Sequence, residues 1–205
     1  MRLENKTAII TGGGSGIGLS CAQLFAEEGA NVVIFGRQKD RLEKAAASIG
    51  EKALAVSGDI AKIEDTDNLA KITIETFGQI DILVNNAGVF KASPVHEMDE
   101  AMWNSTFETN LNGVFRLTRT ALKQMLEQKS GSIINISSIL STIAIPGTAA
   151  YSASKGALDQ FSRVIAVEYG KEGIRSNCVC PGMIETEMTE EMRMDEELVA
   201  EIKKG

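Results

Sequence analysis

Three side chains in the second half of the chain are spaced to move protons: Ser138, Tyr151 and Lys155. Tyr151 and Lys155 stand four apart, so a helix puts them on one face. An ammonium ~5 Å from a phenol, at an effective dielectric of 20, favours the phenolate by roughly 3 kcal/mol. That is about two pKa units, enough to bring a tyrosine from about 10 towards the range useful near neutrality. Such a phenol protonates a developing alkoxide or deprotonates an alcohol. Taken alone, such a pair is more commonly a buried tyrosine beside a surface lysine.

Two further segments carry small residues where a ligand needs backbone. Thr11-Gly12-Gly13-Gly14-Ser15-Gly16-Ile17-Gly18 lies between an apolar run and a helical pattern. In that context Gly12, Ser15, Gly16, Ile17 and Gly18 allow a tight turn and let a pyrophosphate reach backbone N–H groups at a helix N-terminus. Asn85-Asn86-Ala87-Gly88 follows another apolar run and would face the carboxyl edge of a sheet, where open α/β sheets bind ligands. Alone, each also reads as an ordinary turn.

The elements that must position these residues alternate. Strand-like runs fall at 7–10, 31–35, 53–56, 80–84, 133–136 and 174–179. Helical patterns fall at 16–28, 39–48, 65–77, 98–127 and 151–169. Short apolar strands separated by amphipathic helices make βαβ units, hence an α/β fold with a parallel sheet and right-handed crossovers. Trp103, Phe107, Leu111 and Phe115 have helical spacing and read as core or interface.

Composition excludes several classes. The 205 residues are 43% hydrophobic and 24% charged, a globular balance with enough chain for a real core. No apolar run approaches the ~18 residues of a membrane span. The N-terminus has no apolar signal core, so a cytoplasmic protein is expected. Net charge is −7, concentrated in the acidic residues 185–205, which read as a solvated helix face. No basic stripe tracks a phosphate backbone, so no nucleic-acid partner is expected. Cys21, Cys178 and Cys180 are too few for a disulfide framework, and Cys178 and Cys180 read as one core face of a strand. The single histidine, His96, is far off in sequence and reads as an exposed loop residue, so no metal site is expected.

Taken together, the motifs resemble the short-chain dehydrogenase/reductase family over the whole chain, with similarity to 3-oxoacyl-(acyl-carrier-protein) reductases. The matches are Thr11, Gly12, Gly16 and Gly18; Asn85 to Gly88; Asn110; Ser138; Tyr151 and Lys155; and Pro181-Gly182. The resemblance implies a Rossmann-like, doubly wound parallel sheet of order 3-2-1-4-5-6, forming one domain over 1–205. Family members continue through a lid, a helix and a seventh strand, so the chain is expected to be a fragment.

The resemblance also implies roles. Tyr151 would be the general acid/base. Lys155 would lower its pKa and hold the nicotinamide ribose, and Ser138 would polarise the substrate carbonyl. Asn110 would hold a water relaying protons to Lys155. Asp59 and Ile60 would contact adenine, and Asn86, Ala87 and Gly88 would line the adenosine side. Pro181 and Gly182, in the turn after the sixth strand, would bind the cofactor, with Ile184 and Thr186 on the nicotinamide carboxamide. An acid at the end of the second strand would select NAD, but this chain has Phe35-Gly36-Arg37. Arg37 can pair with a 2′-phosphate, so NADP(H) is expected over NAD(H). The substrate would be a small-molecule carbonyl or an acyl thioester. Ile139, Leu140, Ile143, Ala144 and Ile145 would form an apolar wall, and Met183, Met188, Met192 and Met194 an apolar lid. The helices at 98–127 and 151–169 resemble interface helices, implying a homodimer or homotetramer. A dinucleotide-binding protein without turnover is the alternative of another class.

Overall fold

The computed structural model describes residues 1–194. Six parallel strands alternate with helices: β1 (Thr7–Thr11), α1 (Gly16–Glu27), β2 (Asn31–Gly36), α2 (Lys39–Ile49), β3 (Ala53–Ser57) and α3 (Ile63–Phe77) form the first half. The second half is β4 (Ile82–Asn85), α4 (Glu100–Phe107), α5 (Gly113–Gln128), β5 (Gly131–Ile136), α6 (Ala149–Tyr169), β6 (Ile174–Val179) and the short α7 (Glu190–Met194). The sheet order is β3-β2-β1-β4-β5-β6, the doubly wound Rossmann order.

The hydrophobic pattern explains the layers. β1 is buried along its whole length, as a central parallel strand must be when helices cover both faces. Ala8, Ile10, Val32, Ile34, Ile82 and Val84 point one way and pack on α1 and α2 through Ala22, Leu42 and Ala45. Ile9, Val33, Phe35, Leu83, Ile133 and Ile174 point the other way onto α3, α5 and α6, meeting Leu69, Leu117, Met125 and Ile165.

Most element bounds move by one or two residues from the sequence pattern, and two of the differences have a visible cause. β4 starts at Ile82 rather than 80 because the Gln128 side chain takes both backbone groups of Ile80, each at 3.0 Å. The single helix expected over 98–127 is α4 and α5 joined by a π-helical turn, Glu108–Asn112. That extra residue of winding is what helix periodicity cannot mark, and such bulges gather at functional positions. It carries Asn110, which is wholly buried.

A polar ladder crosses the sheet just below its carboxyl edge. Asn85 donates to Thr118 (3.1 Å) and to the side-chain carbonyl of Asn135 (2.8 Å). Asn135 in turn donates to Ser176 (3.4 Å), which shares a hydrogen bond with Ser162 on α6 (2.8 Å). No helix among the described residues is long and apolar enough to cross a membrane.

Candidate active site

The carboxyl ends of the strands open into a cavity of about 450 Å³. Its floor is built from two loops stitched together. The Thr11 hydroxyl accepts from the backbone N–H groups of Asn86 and Ala87, each at 3.0 Å, and Asn86 Nδ2 donates to Thr11 O at 2.9 Å. Glycine is required at two points of this seam. Gly12 has φ +64° and a side chain there would meet Asn86, while a Cβ on Gly18 would sit 2.3 Å from the Gly12 carbonyl oxygen. Gly12, Ser15, Gly16 and Ile17 line the cavity, whereas Gly18 packs beneath it. Ser15 is the N-cap of α1 but makes no side-chain cap, so the helix N-terminus faces the cavity with open N–H groups.

Arg37 stands at one rim, exposed and, among the described residues, in no ion pair. Asp59 and Ile60 line the same end; Asp59 also receives the Ala61 N–H at 3.0 Å, which shapes its own loop. Asn86, Ala87 and Gly88 line the middle, and Pro181, Gly182, Ile184 and Thr186 close the far side with Met188.

Ser138, Tyr151 and Lys155 all reach the cavity. Lys155 is 4% exposed and donates to the Ile136 carbonyl at 2.7 Å, so the last residue of β5 fixes it. Its Nζ lies 5.6 Å from the centre of the Tyr151 ring, and Phe90 meets that ring edge-on at 5.1 Å. Burial pushes the Lys155 ammonium down to about 8. Burial likewise raises the Tyr151 phenol above its ordinary value, and the Ser138 hydroxyl beside it offsets only part of this. The lowered tyrosine expected from the spacing is therefore not what the protein alone produces: loss of solvent outweighs the Ser138 hydrogen bond. Asn110 does not line the cavity. Its side chain accepts from Val89 N at 2.8 Å and donates to Val89 O (3.0 Å) and Ser154 (3.2 Å), so it holds the loop after Gly88.

Position decides several other expectations. Residues 139–145 are not among those lining the cavity: after Ser138 the chain winds into a 3-10 helix, Ile139–Ser141, and Ile143 is half-exposed. Cys178 is half-buried and Cys180 lies exposed beyond the end of β6, so they share no core face. Of the residues read as core or interface, Trp103 and Phe115 lie at the surface, outside the core. His96 is exposed in the loop after the Asn-Asn-Ala-Gly turn. Met183 is half-buried and Met194 exposed, while the Met192 side chain and residues 195–205 of the acidic run lie outside the described residues.

Sequence reasoning missed Arg41. Its Nε donates to Gly14 O at 3.1 Å and its guanidinium is paired with Glu187, binding the glycine loop to the segment after β6. No local signal marks it, since the partners are 146 residues apart and Arg41 reads as one charge on a helix face.

With the geometry in place, the relatives fall into one group. The family model described as short chain dehydrogenase matches residues 6–197. A 3-oxoacyl-(acyl-carrier-protein) reductase of Chlamydia muridarum is 38% identical over 191 residues, 91% of this chain and 77% of that relative. Among solved structures, a putative NAD(P) dependent gluconate 5-dehydrogenase from Beutenbergia cavernae, with bound NADP, has a TM-score of 0.92 at 36% identity, covering 98% of this chain and 81% of that one. A 3-ketoacyl-(acyl-carrier-protein) reductase from Brucella melitensis, complexed with NADH, has a TM-score of 0.89 at 35% identity, covering 91% and 78%. The chain therefore belongs to the short chain dehydrogenase family, and by class it is an oxidoreductase acting between CH–OH and C=O groups.

Proposed function

We propose that this chain is an NADP(H)-dependent carbonyl reductase, reversible as a secondary-alcohol dehydrogenase. The observation that carries the reading is the convergence of Ser138, Tyr151 and buried Lys155 at one end of a cavity with a glycine cradle at its floor. The cradle suits a dinucleotide: side-chain-free backbone at Gly12 and Gly16 adjoins the open N-terminus of α1.

A bound nicotinamide supplies or accepts the hydride. The rest is done by this chain's own residues. Gly12, Ser15, Gly16 and Ile17 would hold the pyrophosphate, with Gly18 bringing α1 close. Asp59, Ile60 and Asn86 to Gly88 would hold the adenosine, Arg37 its 2′-phosphate, and Lys155, Pro181, Gly182, Ile184 and Thr186 the nicotinamide end. Ser138 donates a hydrogen bond to the substrate oxygen. Tyr151 gives that oxygen its proton during reduction and takes it back during oxidation. The raised phenol suits reduction, because Tyr151 begins the step protonated. The neighbouring Lys155 charge then eases departure of the proton. Asn110 fixes the loop between cradle and phenol, and a water relay to Lys155 remains part of this reading.

Among carbonyl substrates, a 3-oxoacyl thioester is the second reading, supported by the name and 38% identity of the chlamydial relative. Exposed Phe115, Val164 and Val167 on α5 and α6 support a homodimer or homotetramer. The three free thiols suit a cytoplasmic setting. The assembled Ser138–Tyr151–Lys155 group weighs against a binding protein without turnover. The test is a panel of ketones and acyl thioesters with NADPH and NADH side by side. Tyr151→Phe should lower kcat by about a hundredfold or more while cofactor Kd holds; activity within about tenfold of the parent would sink the acid–base assignment.

A further inference from the structure

Asp159 lies one turn beyond Lys155 on α6, and both face inward, 7% and 4% exposed. It takes no part in the proton transfer above. Its carboxylate sits among Ser137, Ser141 and Cys178, three residues drawn from the end of β5, the turn after Ser138 and β6. Burial works to raise its pKa, but the polar groups around it and the Arg163 cation outweigh it, so the group is held below the ordinary carboxylate range and stays ionised. Asp159 Oδ1 and Ser141 Oγ are both buried, and neither closes a well-aligned hydrogen bond. The negative charge is thus not spent in a tight pair.

A buried ammonium needs a counter-charge nearby, and the hydrogen bond Lys155 makes is to a neutral carbonyl. The titratable groups facing it are Tyr151 and Asp159 on α6, Cys178 on β6 and Cys180 just beyond. The Cys178 thiol, pushed up to about 11 by burial, is neutral where Lys155 titrates. Tyr151 is neutral there as well. Asp159 is the carboxylate among them. The backbone is bound to the same place: the Ser137 hydroxyl donates to the Lys155 carbonyl at 3.4 Å, and Ser138 opens the turn that carries Ser141.

We propose that Asp159 is a positioning residue, whose carboxylate keeps Lys155 charged across the neutral range. This rests on the reading of Lys155 as the cation that serves Tyr151. Two unit charges one helical turn apart shift each other's titration by on the order of one pH unit at the dielectric of a protein site.

The test titrates Lys155 directly in the full chain, by NMR of lysines labelled at Cε, with the signal assigned through Lys155→Arg. Asp159→Asn should lower the Lys155 midpoint by about one pH unit, and Asp159→Glu should restore most of it. The alkaline limb of the kcat profile for reduction should move to lower pH with that midpoint. A midpoint unchanged in the folded variant, or a limb that stays put, overturns the proposal. Should the amide fail to fold, Asp159→Ser removes the same charge with a smaller side chain and reads the same two quantities. Failure of the underlying catalytic reading looks different: Tyr151→Phe would keep its turnover, while the Lys155 midpoint would still answer to Asp159.

Discussion

Arg37→Ala removes the cation that stands where β2 leaves the sheet. In the parent its guanidinium is exposed and free of protein partners among the described residues, so a 2′-phosphate would not have to displace one. Arg41, the next arginine along α2, is already committed to Glu187 and to the Gly14 carbonyl. A charge-assisted bidentate contact is worth about 1.5–3 kcal/mol. Solvent screening at an exposed rim places this one in the lower half, about 1.5–2 kcal/mol, or roughly ten- to thirtyfold in Kd. The alanine variant should therefore bind NADPH ten- to thirtyfold more weakly, while NADH, which lacks the phosphate, changes by less than about twofold. Fluorescence titration of both reduced cofactors, at low and high salt, reads this directly. The NADPH preference should shrink as salt rises, because the contact is exposed. Equal dissociation constants in the parent, or an equal loss for both cofactors in the variant, would refute the reasoning.

Three other substitutions test the scaffold. Gly18→Ala drives a Cβ to 2.3 Å from the Gly12 carbonyl oxygen, whereas Gly14→Ala finds its nearest atom, on Leu42, at 3.4 Å. Overpacking of about 1–3 kcal/mol should lower the Tm of the first by roughly 3–10 °C, and the second should melt within about 2 °C of the parent; matching melts would show that the seam is not tight. Phe115→Glu, placed on the exposed face that Phe115 shares with Phe161 and Arg119, should convert the expected dimer or tetramer to monomer by light scattering. A monomeric parent at micromolar concentration would count against assembly through that face.

Much of this architecture was legible because the chain states it locally. Ile9, Val33 and Leu83 sit in short apolar runs that only a sheet covered on both faces can bury. The glycine turn was legible because only Gly tolerates the approach of Asn86 at Gly12. What the pattern could not supply depends on residues far apart in the chain. The π-turn at Asn110 adds one residue of winding without disturbing the apolar stripe of α5. The Tyr151 shift reversed because spacing reports the nearby cation and says nothing of the solvent lost around the phenol. Asp159 reads in sequence as one more charge on a helix. Its meaning comes from β6 and from the turn after β5, which fold against it from elsewhere in the chain.

The ladder from Asn85 through Asn135 and Ser176 to Ser162 also constrains how the sheet can assemble. Neighbouring parallel strands packed with Ile and Val offer many near-equivalent alignments, since one aliphatic side chain fills a site much as another does. A slip of one residue by β5 would turn Asn135 to the opposite face, leaving Asn85 and Ser176 in apolar surroundings without it. The error would be felt on three strands and two helices at once. The ladder lies one residue before Asn86 and before Ile136, whose carbonyl holds Lys155. Misaligned strands are thus rejected at the same level of the sheet that holds Lys155. Correct folding and a correctly placed lysine become a single event, checked by five uncharged side chains.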